Sequence, residues 1–157
     1  MLLSTLIKMT DKIKKDPRIS KQQRMVIDIF HTSNFLDNKF SKILKKYGIT
    51  HAQFNIIKNL QAAYPEPLSV KEIKESIMFT NSDVTRLIDR LLAKELLERE
   101  VCPKNRRKVD IKISTKGSKI IDEIMIENEK HVSGVAEKLV SEEEALFTSE
   151  ILRRLRK

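Results

Sequence analysis

The stretch from residue 68 to residue 117, LSVKEIKESIMFTNSDVTRLIDRLLAKELLEREVCPKNRRKVDIKISTKG, decides the fold. Its first half contains two short helical segments. Each opens with a hydroxyl residue followed three positions later by an acid, namely Ser69 with Glu72 and Thr80 with Asp83, which is the pattern of a capping box. Because the second cap follows the first so soon, the sequence predicts two short helices joined by a tight connection.

Two short strands follow these helices. In both, the side chains of one face alternate with charged residues of the other, which predicts a β-hairpin with one face on a core. The first strand alternates Leu97, Arg99 and Val101 with Glu98 and Glu100, and the second alternates Val109, Ile111 and Ile113 with Asp110 and Lys112. Pro103 and Asn105 provide turn residues between them. The tip also carries Lys104, Arg106, Arg107 and Lys108, with no apolar residue to pack behind.

This cationic tip has two interpretations. Arginines on a protruding loop suit phosphate oxygens and the narrow minor groove of DNA, where the negative potential is enhanced. A hairpin taken by itself is equally compatible with a solvated turn. The helices that precede the hairpin are therefore needed to distinguish a DNA contact from a solvated turn.

Two further helices are predicted before this stretch. Ser20 with Gln23 opens the first, which ends at Gly48, and Thr50 with Gln53 opens the second, which ends before Pro65. The resulting order, three helices and then a hairpin, is that of a winged helix-turn-helix. We expect a mainly α fold with a small β-hairpin wing (α+β), flanked by N- and C-terminal dimerisation helices.

The helix that follows Thr80 is the second element of the helix-turn-helix, so we expect it to enter a major groove. On a helical wheel its apolar residues, Val84, Leu87, Ile88 and Leu91, face one side. The opposite side mixes short hydroxyls with arginines, as base-edge and phosphate contacts require, although a solvated face is the alternative. The predicted DNA contacts are Asn81, Ser82, Thr85, Arg86 and Arg90 on this helix, Lys104, Asn105, Arg106, Arg107 and Lys108 on the wing, and Ser69 and Lys71 as phosphate ligands.

The two ends of the chain are apolar beyond what one small winged domain needs. Thr115 is predicted to begin a long helix reaching about Leu139, and Ser141 with Glu144 caps a last helix. Surplus apolar faces usually bind a second chain. We therefore expect a single domain, 1–157, in which 1–47 and 116–157 form a dimerisation layer around a DNA-binding region, 48–115. Such a dimer would read a pseudo-palindromic site in double-stranded DNA.

Composition agrees with a nucleic-acid partner, since 31 Lys and Arg outnumber 22 Asp and Glu for a formal charge of +9. The apolar run 1–7 is too short for a signal-peptide core or a membrane span, so we expect a cytoplasmic protein without membrane association. Cys102 is the single cysteine. Glu127 and His131 form the best metal-like pair, but such a pair is usually a solvated helix face. No nucleotide, metal or catalytic motif is present, so neither an enzyme nor a cofactor is expected.

The runs ITHAQFNIIKNL (49–60) and the 68–117 stretch together resemble the MarR family of bacterial transcription regulators. The resemblance rests on V-T-R-L-x-D-R-L (84–91), the paired wing arginines 106–107 and S-T-K-G (114–117), in this order. It implies a homodimer that binds operator DNA and usually represses transcription, often releasing DNA when a small aromatic or apolar acid binds. It also implies that Thr85, Arg86 and Arg90 belong to the recognition helix, and Arg106 and Arg107 to the wing.

Two positions depart from the family's pattern. Asn105 replaces a wing acid that usually orients an arginine, so either Arg106 or Arg107 is a candidate for the minor groove. Glu95 replaces a glycine at the end of the recognition helix, so a left-handed backbone there would be strained. A winged-helix module that binds a protein partner without reading DNA remains the alternative function.

Overall fold

The structure is a computed structural model that describes residues 18–77, 83–101 and 109–157. The chain forms two compact units, Met1–Asn38 and Lys39–Lys157. The described helices are α1 (Lys21–Lys46), α2 (His51–Ala63), α3 (Val70–Ser76), α4 (Val84–Ala93), α5 (Thr115–Asn128), α6 (Gly134–Leu139) and α7 (Glu142–Arg154), and the strands are β1 (Leu68–Ser69), β2 (Leu97–Val101) and β3 (Val109–Ile113). The predicted fold class, mainly α with a small sheet, is confirmed.

The capping residues of α2, α3 and α7 match the sequence prediction. Thr50, Ser69 and Ser141 each accept a hydrogen bond from the backbone N–H three residues later, and the side chain at that later position accepts one from the cap's own N–H. The predicted Ser20 and Gln23 pair is reciprocal in the same way, at 2.9 and 3.1 Å. Each helix start is thus fixed by four consecutive residues, which is why the sequence alone reveals it.

The start of α4 corrects a prediction. The sequence favoured Thr80 as the cap, whereas the structure caps the helix at Asp83, whose backbone is non-helical (φ −68°, ψ 85°) and whose Oδ1 accepts a hydrogen bond from Arg86 N at 3.3 Å. Aspartate is as good an N-cap as threonine. The two were therefore competing starts, and the one three residues later is used.

The sheet has three strands rather than the predicted two. β3 lies in the centre and pairs antiparallel with β2 on one side and with the two-residue strand β1 on the other. The predicted hairpin is present, and its register places Leu97 opposite Ile113 and Glu98 opposite Lys112. β1 anchors the start of α3 to the wing sheet, because Leu68 faces Ile111 and Ser69 faces Asp110.

The predicted helix from Thr115 to Leu139 is interrupted. Ser114 caps α5, which ends at Asn128, and a π-helical segment, Glu129–Ser133, separates it from α6. Apolar spacing cannot reveal this interruption, because one extra residue in a turn leaves the average periodicity almost unchanged. The segment contains His131, so the Glu127–His131 pair does not lie on one regular α-helical turn.

The core lies within the unit Lys39–Lys157 and joins α2, α4, the sheet and α5. Its fully buried side chains include Ile56 and Ile57 of α2, Leu91 of α4 and Ile124 of α5. The buried stripe predicted for α2, Phe54, Ile57 and Leu60, is confirmed. In contrast, α6 and α7 bury no residue.

Candidate nucleic-acid interface

Helix α4 has one buried and one exposed side. Val84, Ile88 and Leu91 are buried, with exposed fractions of 5%, 2% and 0%. Three of the predicted DNA-contacting residues, Thr85, Arg86 and Arg90, are exposed. The division of α4 into an apolar and a polar side, predicted from the sequence, is therefore present. The core fixes the rotation of the helix about its axis, so these side chains project outwards together.

An ion pair connects this helix to the wing. Arg99 on β2 donates from Nη2 to Asp89 Oδ1 at 2.7 Å. Asp89 lies on the outer side of α4 between Arg86 and Arg90, so the pair links the surface of the helix to a wing strand. The sequence did not reveal this contact, since the partners are ten residues apart and belong to different elements.

The end of α4 is a tight left-handed turn. Leu96 N donates to Leu91 O at 3.0 Å, Glu95 N donates to Leu92 O at 2.8 Å, and Glu95 has φ +60°. The left-handed backbone anticipated at Glu95 is therefore present, in a region that glycine adopts with less strain. The Lys116 ammonium lies 2.9 Å from Glu95 Oε2, and this hydrogen bond and the charge of Lys116 lower the pKa of the carboxyl.

The S-T-K-G run closes this turn. Ser114 Oγ donates to Glu95 O at 2.7 Å and accepts from Gly117 N at 2.9 Å. A Cβ at Gly117 would lie 2.1 Å from Leu96 O, so only glycine allows this approach. The motif therefore joins the end of α4 to the start of α5, and its role in the structure is to hold that junction.

The two predicted phosphate ligands near the start of α3 differ in availability. The Ser69 hydroxyl already donates to Glu72 Oε2 at 2.6 Å and accepts from Glu72 N at 3.2 Å. Lys71 is exposed, and its Nζ lies 3.8 Å from Glu75 Oε1, a distance that leaves the ammonium accessible to a phosphate. Lys71 is therefore the stronger phosphate candidate of the two.

A second contact missed by sequence reasoning fixes the end of α3. Asn59 Nδ2, on α2, donates to Ser76 Oγ at 2.9 Å and approaches Ser76 O at 3.4 Å. Ser76 in turn donates from Oγ to Ile73 O. These bonds satisfy carbonyls at a helix end and set the point from which the chain leaves α3 towards α4.

The remaining predicted contacts lie outside the described residues. They are Asn81 and Ser82 before α4 and the wing residues Lys104, Asn105, Arg106, Arg107 and Lys108. The predicted contacts that the structure describes therefore lie on the exposed side of α4 and at the start of α3.

Comparisons with known proteins identify the family. A family model described as the MarR family matches residues 49–109. The chain is 30% identical over 124 residues to an uncharacterised HTH-type transcriptional regulator of Bacillus subtilis, YsmB, covering 78% of this chain and 83% of the relative. The protein belongs to the MarR family.

Solved structures agree with this MarR-family assignment. The YusO protein of Bacillus subtilis is 27% identical and superposes with a TM-score of 0.66 over 87% of this chain and 97% of its own. A point mutant of Staphylococcus aureus MepR, solved bound to an oligodeoxyribonucleotide, superposes with a TM-score of 0.62 at 20% identity, over 84% and 96% of the two chains. The protein is thus a MarR-family transcription regulator with a winged-helix fold.

The C-terminal helices α6 and α7 carry apolar side chains that are largely exposed. On α7, Leu146 and Phe147 have exposed fractions of 68% and 64%, and Leu139 at the end of α6 has 76%. Within the described residues, no helix has both the length and the apolar character needed to cross a bilayer. Apolar side chains as exposed as these are typical of surfaces that bind a second chain.

Proposed function

We propose that this regulator is a cytoplasmic homodimer that binds a pseudo-palindromic operator in double-stranded DNA and represses transcription from it. Its role is binding rather than catalysis. The observation that carries the proposal is the exposed group formed by Thr85, Arg86 and Arg90 on a helix whose other side is anchored in the core.

The side chains on α4 suit the two kinds of contact that a recognition helix makes. Arginine donates two parallel hydrogen bonds to guanine O6 and N7 or to a phosphate, and threonine contacts either a base edge or a thymine methyl group. Arg86 Nε lies 3.9 Å from Asp83 Oδ2, so the pair is loose and the guanidinium can turn to DNA at little cost. We assign base contacts to Thr85 and Arg86 and either a base or a phosphate contact to Arg90.

The wing and the start of α3 complete the proposed interface. Lys71 neutralises a phosphate beside the major groove. Ser69, at the start of α3, is the second proposed phosphate ligand. Of the wing residues, Arg106 and Arg107 are the proposed minor-groove ligands, with Lys104, Asn105 and Lys108 on the neighbouring backbone. The Asp89–Arg99 pair ties the recognition helix to the wing strand, so both elements approach DNA as one surface.

The proposed dimer uses 1–47 and 116–157, which leaves 48–115 for DNA. The exposed apolar residues of α6 and α7 support this division, because within the described residues these helices have no buried side chain of their own. Two copies related by a two-fold axis would present two α4 helices to half-sites about one DNA turn apart.

Fluorescence anisotropy with a labelled duplex from the region upstream of the chain's own gene tests the proposal. Arg86→Ala and Arg90→Ala should each weaken binding by about 1–3 kcal/mol, which is roughly 5- to 150-fold. Lys58→Ala is the control, because it removes one positive charge from an exposed site on α2, outside the proposed dimer layer and the predicted DNA contacts, and should change affinity by less than about twofold. Binding that is absent, or insensitive to salt, would contradict the proposal and favour a protein-interaction module.

The wing arginines can be separated by the same titration. Arg106→Ala and Arg107→Ala should both weaken binding, but only the residue that enters the minor groove should also change the preference for A·T-rich flanking sequence. The other should weaken binding to all duplexes equally and reduce the salt dependence by about one phosphate contact. Two variants that both leave the A·T preference unchanged would show that neither arginine is inserted.

Release of the DNA by a small aromatic or apolar acid is the last part of the proposal, and family likeness alone supports it. A thermal-shift screen of aromatic carboxylates with the full chain, followed by competition against the bound duplex, tests it. An effector should both stabilise the protein and lower its affinity for the operator, since linkage requires the two effects together. No stabilisation by any carboxylate at millimolar concentration would contradict this part.

A further inference from the structure

The π-helical segment Glu129–Ser133 lies where the chain leaves its core. Before it, α5 buries Ile121 and Ile124, whereas α6 and α7 after it bury no residue. The segment is therefore the joint between the core of the winged-helix region and the C-terminal arm, which consists of α6 and α7. Single π turns of this kind are rare in helices and are found frequently at functional sites.

Two contacts mark the π geometry. Gly134 N donates to Glu129 O, five residues earlier, where an α-helix would join residues four apart. Asn128 Nδ2 donates to Ser133 Oγ at 3.4 Å, again across five residues. In an α-helix, side chains five positions apart point about 140° away from each other, so this pair would not meet.

The extra residue in the turn decides which side chain covers the core. A regular α-helix places residues 124 and 131 on the same side, because seven residues make almost two full turns, and would therefore turn His131 towards the core. In the structure His131 is exposed, and Val132, eight positions after Ile124, packs against the buried cluster. The π turn thus places a valine where an α-helix would place a histidine, and an apolar core favours the valine.

Gly134 is the residue that permits this turn. A β-carbon at position 134 would lie 2.9 Å from Glu129 O, below the 3.0 Å that such contacts essentially never cross. The oxygen is the acceptor of the π-turn hydrogen bond itself, so it cannot move aside as a flexible side chain can. In the interior of an ordinary α-helix, by contrast, alanine is more stable than glycine. The sign of a glycine-to-alanine change therefore distinguishes a π turn from an α turn at this position.

The turn also fixes the direction of the C-terminal arm. The end of α5 is held in place, since Ile124 is fully buried and Glu127 pairs with Lys46 at the end of α1. Each residue of an α-helix rotates the chain by about 100° and advances it by about 1.5 Å. Loss of the π turn would therefore rotate the arm by about a quarter turn against the core, and the exposed apolar residues of the arm, such as Phe147, would face another direction.

We propose that Gly134 is a positioning residue of this regulator. It permits the π turn that sets the direction of the C-terminal arm against the DNA-binding core, and hence the spacing of the two α4 helices in the dimer. Gly134 acts through the helix that carries the dimer face. The last step rests on the proposed function, whereas the link between Gly134, the π turn and Val132 rests on the core of a single chain.

Thermal unfolding of four chains, at one protein concentration and without DNA, tests that link. They are the wild type, Gly134→Ala, a chain from which Lys130 is deleted, and a chain with both changes. Lys130 is exposed, and its deletion leaves Val132 seven positions after Ile124, so that a regular α-helix covers the core without a π turn. The deleted chain is therefore the matched control for the alanine substitution.

The substitution should have opposite effects in the two backgrounds. In the wild-type chain, Gly134→Ala should lower the unfolding midpoint by about 2–4 °C, because the β-carbon meets Glu129 O. In the chain without Lys130 it should raise the midpoint by about 1–4 °C, through the higher helix propensity of alanine. Shifts of the same sign in both backgrounds, or no shift in the wild-type chain, would overturn the proposal.

Nuclear Overhauser effects between the methyl groups of Val132 and the buried isoleucines measure the phase of the helix directly. They should be present in the wild type and in the chain with both changes, and lost in Gly134→Ala. If they persist in Gly134→Ala, the turn holds without glycine and the proposal is wrong.

Sedimentation equilibrium and operator titration test the last step. Gly134→Ala should weaken operator binding by about tenfold or more, because both α4 helices have to engage their half-sites at once. The chain with both changes should recover to within about threefold of the wild type, since its arm regains the original direction. A change that merely damaged the helix would not be rescued by removing a further residue.

The two proposals fail separately. If the wild type does not bind operator DNA, the proposed function fails, while opposite signs of the two midpoint shifts still support the role of Gly134 in the turn. If the wild type binds and the chain with both changes does not recover, the direction of the arm does not set the spacing of the α4 helices, and the inference about Gly134 is overturned.

Discussion

Helices α4 and α7 are of similar length and both carry apolar residues at helical spacing, yet their surroundings are opposite. α4 buries Val84, Ile88 and Leu91 and exposes its polar side. α7 buries nothing, and its apolar Leu146 and Phe147 are largely exposed. The chain's own core thus fixes which side of α4 faces outwards, whereas the described residues leave the apolar side of α7 uncovered, as expected for the proposed dimer face.

The largest expected effect comes from removing a buried side chain that anchors α4 in the core. Leu91→Ala removes a fully buried side chain and should lower the free energy of unfolding by about 2–5 kcal/mol, through lost burial and the cavity left behind. Urea denaturation followed by circular dichroism measures it, and the loss should be present at every protein concentration. A loss below about 1 kcal/mol would show that the core does not hold α4.

The second prediction concerns the exposed apolar side of α7. Phe147→Asp places a charge on the proposed dimer face and should shift the chain towards monomer by at least about tenfold, as measured by analytical ultracentrifugation. Unlike Leu91→Ala, its effect on unfolding should depend on protein concentration, since only association is lost. Glu150→Gln on the same helix removes a charge without adding one and serves as the control. A Phe147→Asp variant that remains as dimeric as the wild type would place the interface elsewhere.

The third prediction tests how α4 ends. At the left-handed position 95, glycine should be more stable than alanine by about 1 kcal/mol, because only the β-carbon of alanine is strained there. Comparing Glu95→Gly with Glu95→Ala isolates this backbone term, since both lack the ion pair with Lys116. Thermal unfolding of the two variants measures the difference, and equal midpoints would exclude backbone strain at this turn.

The smallest expected effect concerns the cap of α7 and its pH dependence. Ser141→Ala should cost about 1 kcal/mol of helix stability at pH 7. A hydrogen bond from the backbone of Ser141 lowers the pKa of Glu144, so the contribution of this carboxylate is present above its unfolded pKa and is lost as pH falls through the folded one. Glu144→Ala removes this carboxylate, so the difference between wild type and the Glu144→Ala variant should shrink on acidification below about pH 4. Helix content measured by circular dichroism across pH checks it, and a constant difference would contradict the role of Glu144.

Local signals explain what could be predicted correctly. The caps at Thr50, Ser69 and Ser141 each involve four consecutive residues, and the two hairpin strands follow from alternation, so the sequence contains all the information needed. Where two local signals competed, at Thr80 and Asp83, the prediction was wrong. Strand β1 was missed because two residues have no detectable period, and the π segment was missed because it shifts the period too little.

In the candidate interface, too, local features could be predicted from the sequence and contacts between separate elements could not. Thr85, Arg86 and Arg90 were predicted to lie on one exposed side of a helix, and they do, because helical spacing follows from the sequence. The contacts Asp89–Arg99 and Asn59–Ser76 join residues on separate elements, and no spacing rule relates such partners.

By itself, the sequence determined the order of helices and strands, most of their boundaries, the alternation along the wing strands and the polar side of α4. All of these depend on interactions between residues close along the chain or on a fixed backbone period. Only the tertiary structure decided which cap starts α4, where the third strand pairs and how α4 is tied to the wing. These depend on distances between segments far apart in sequence, and the folded chain alone sets them.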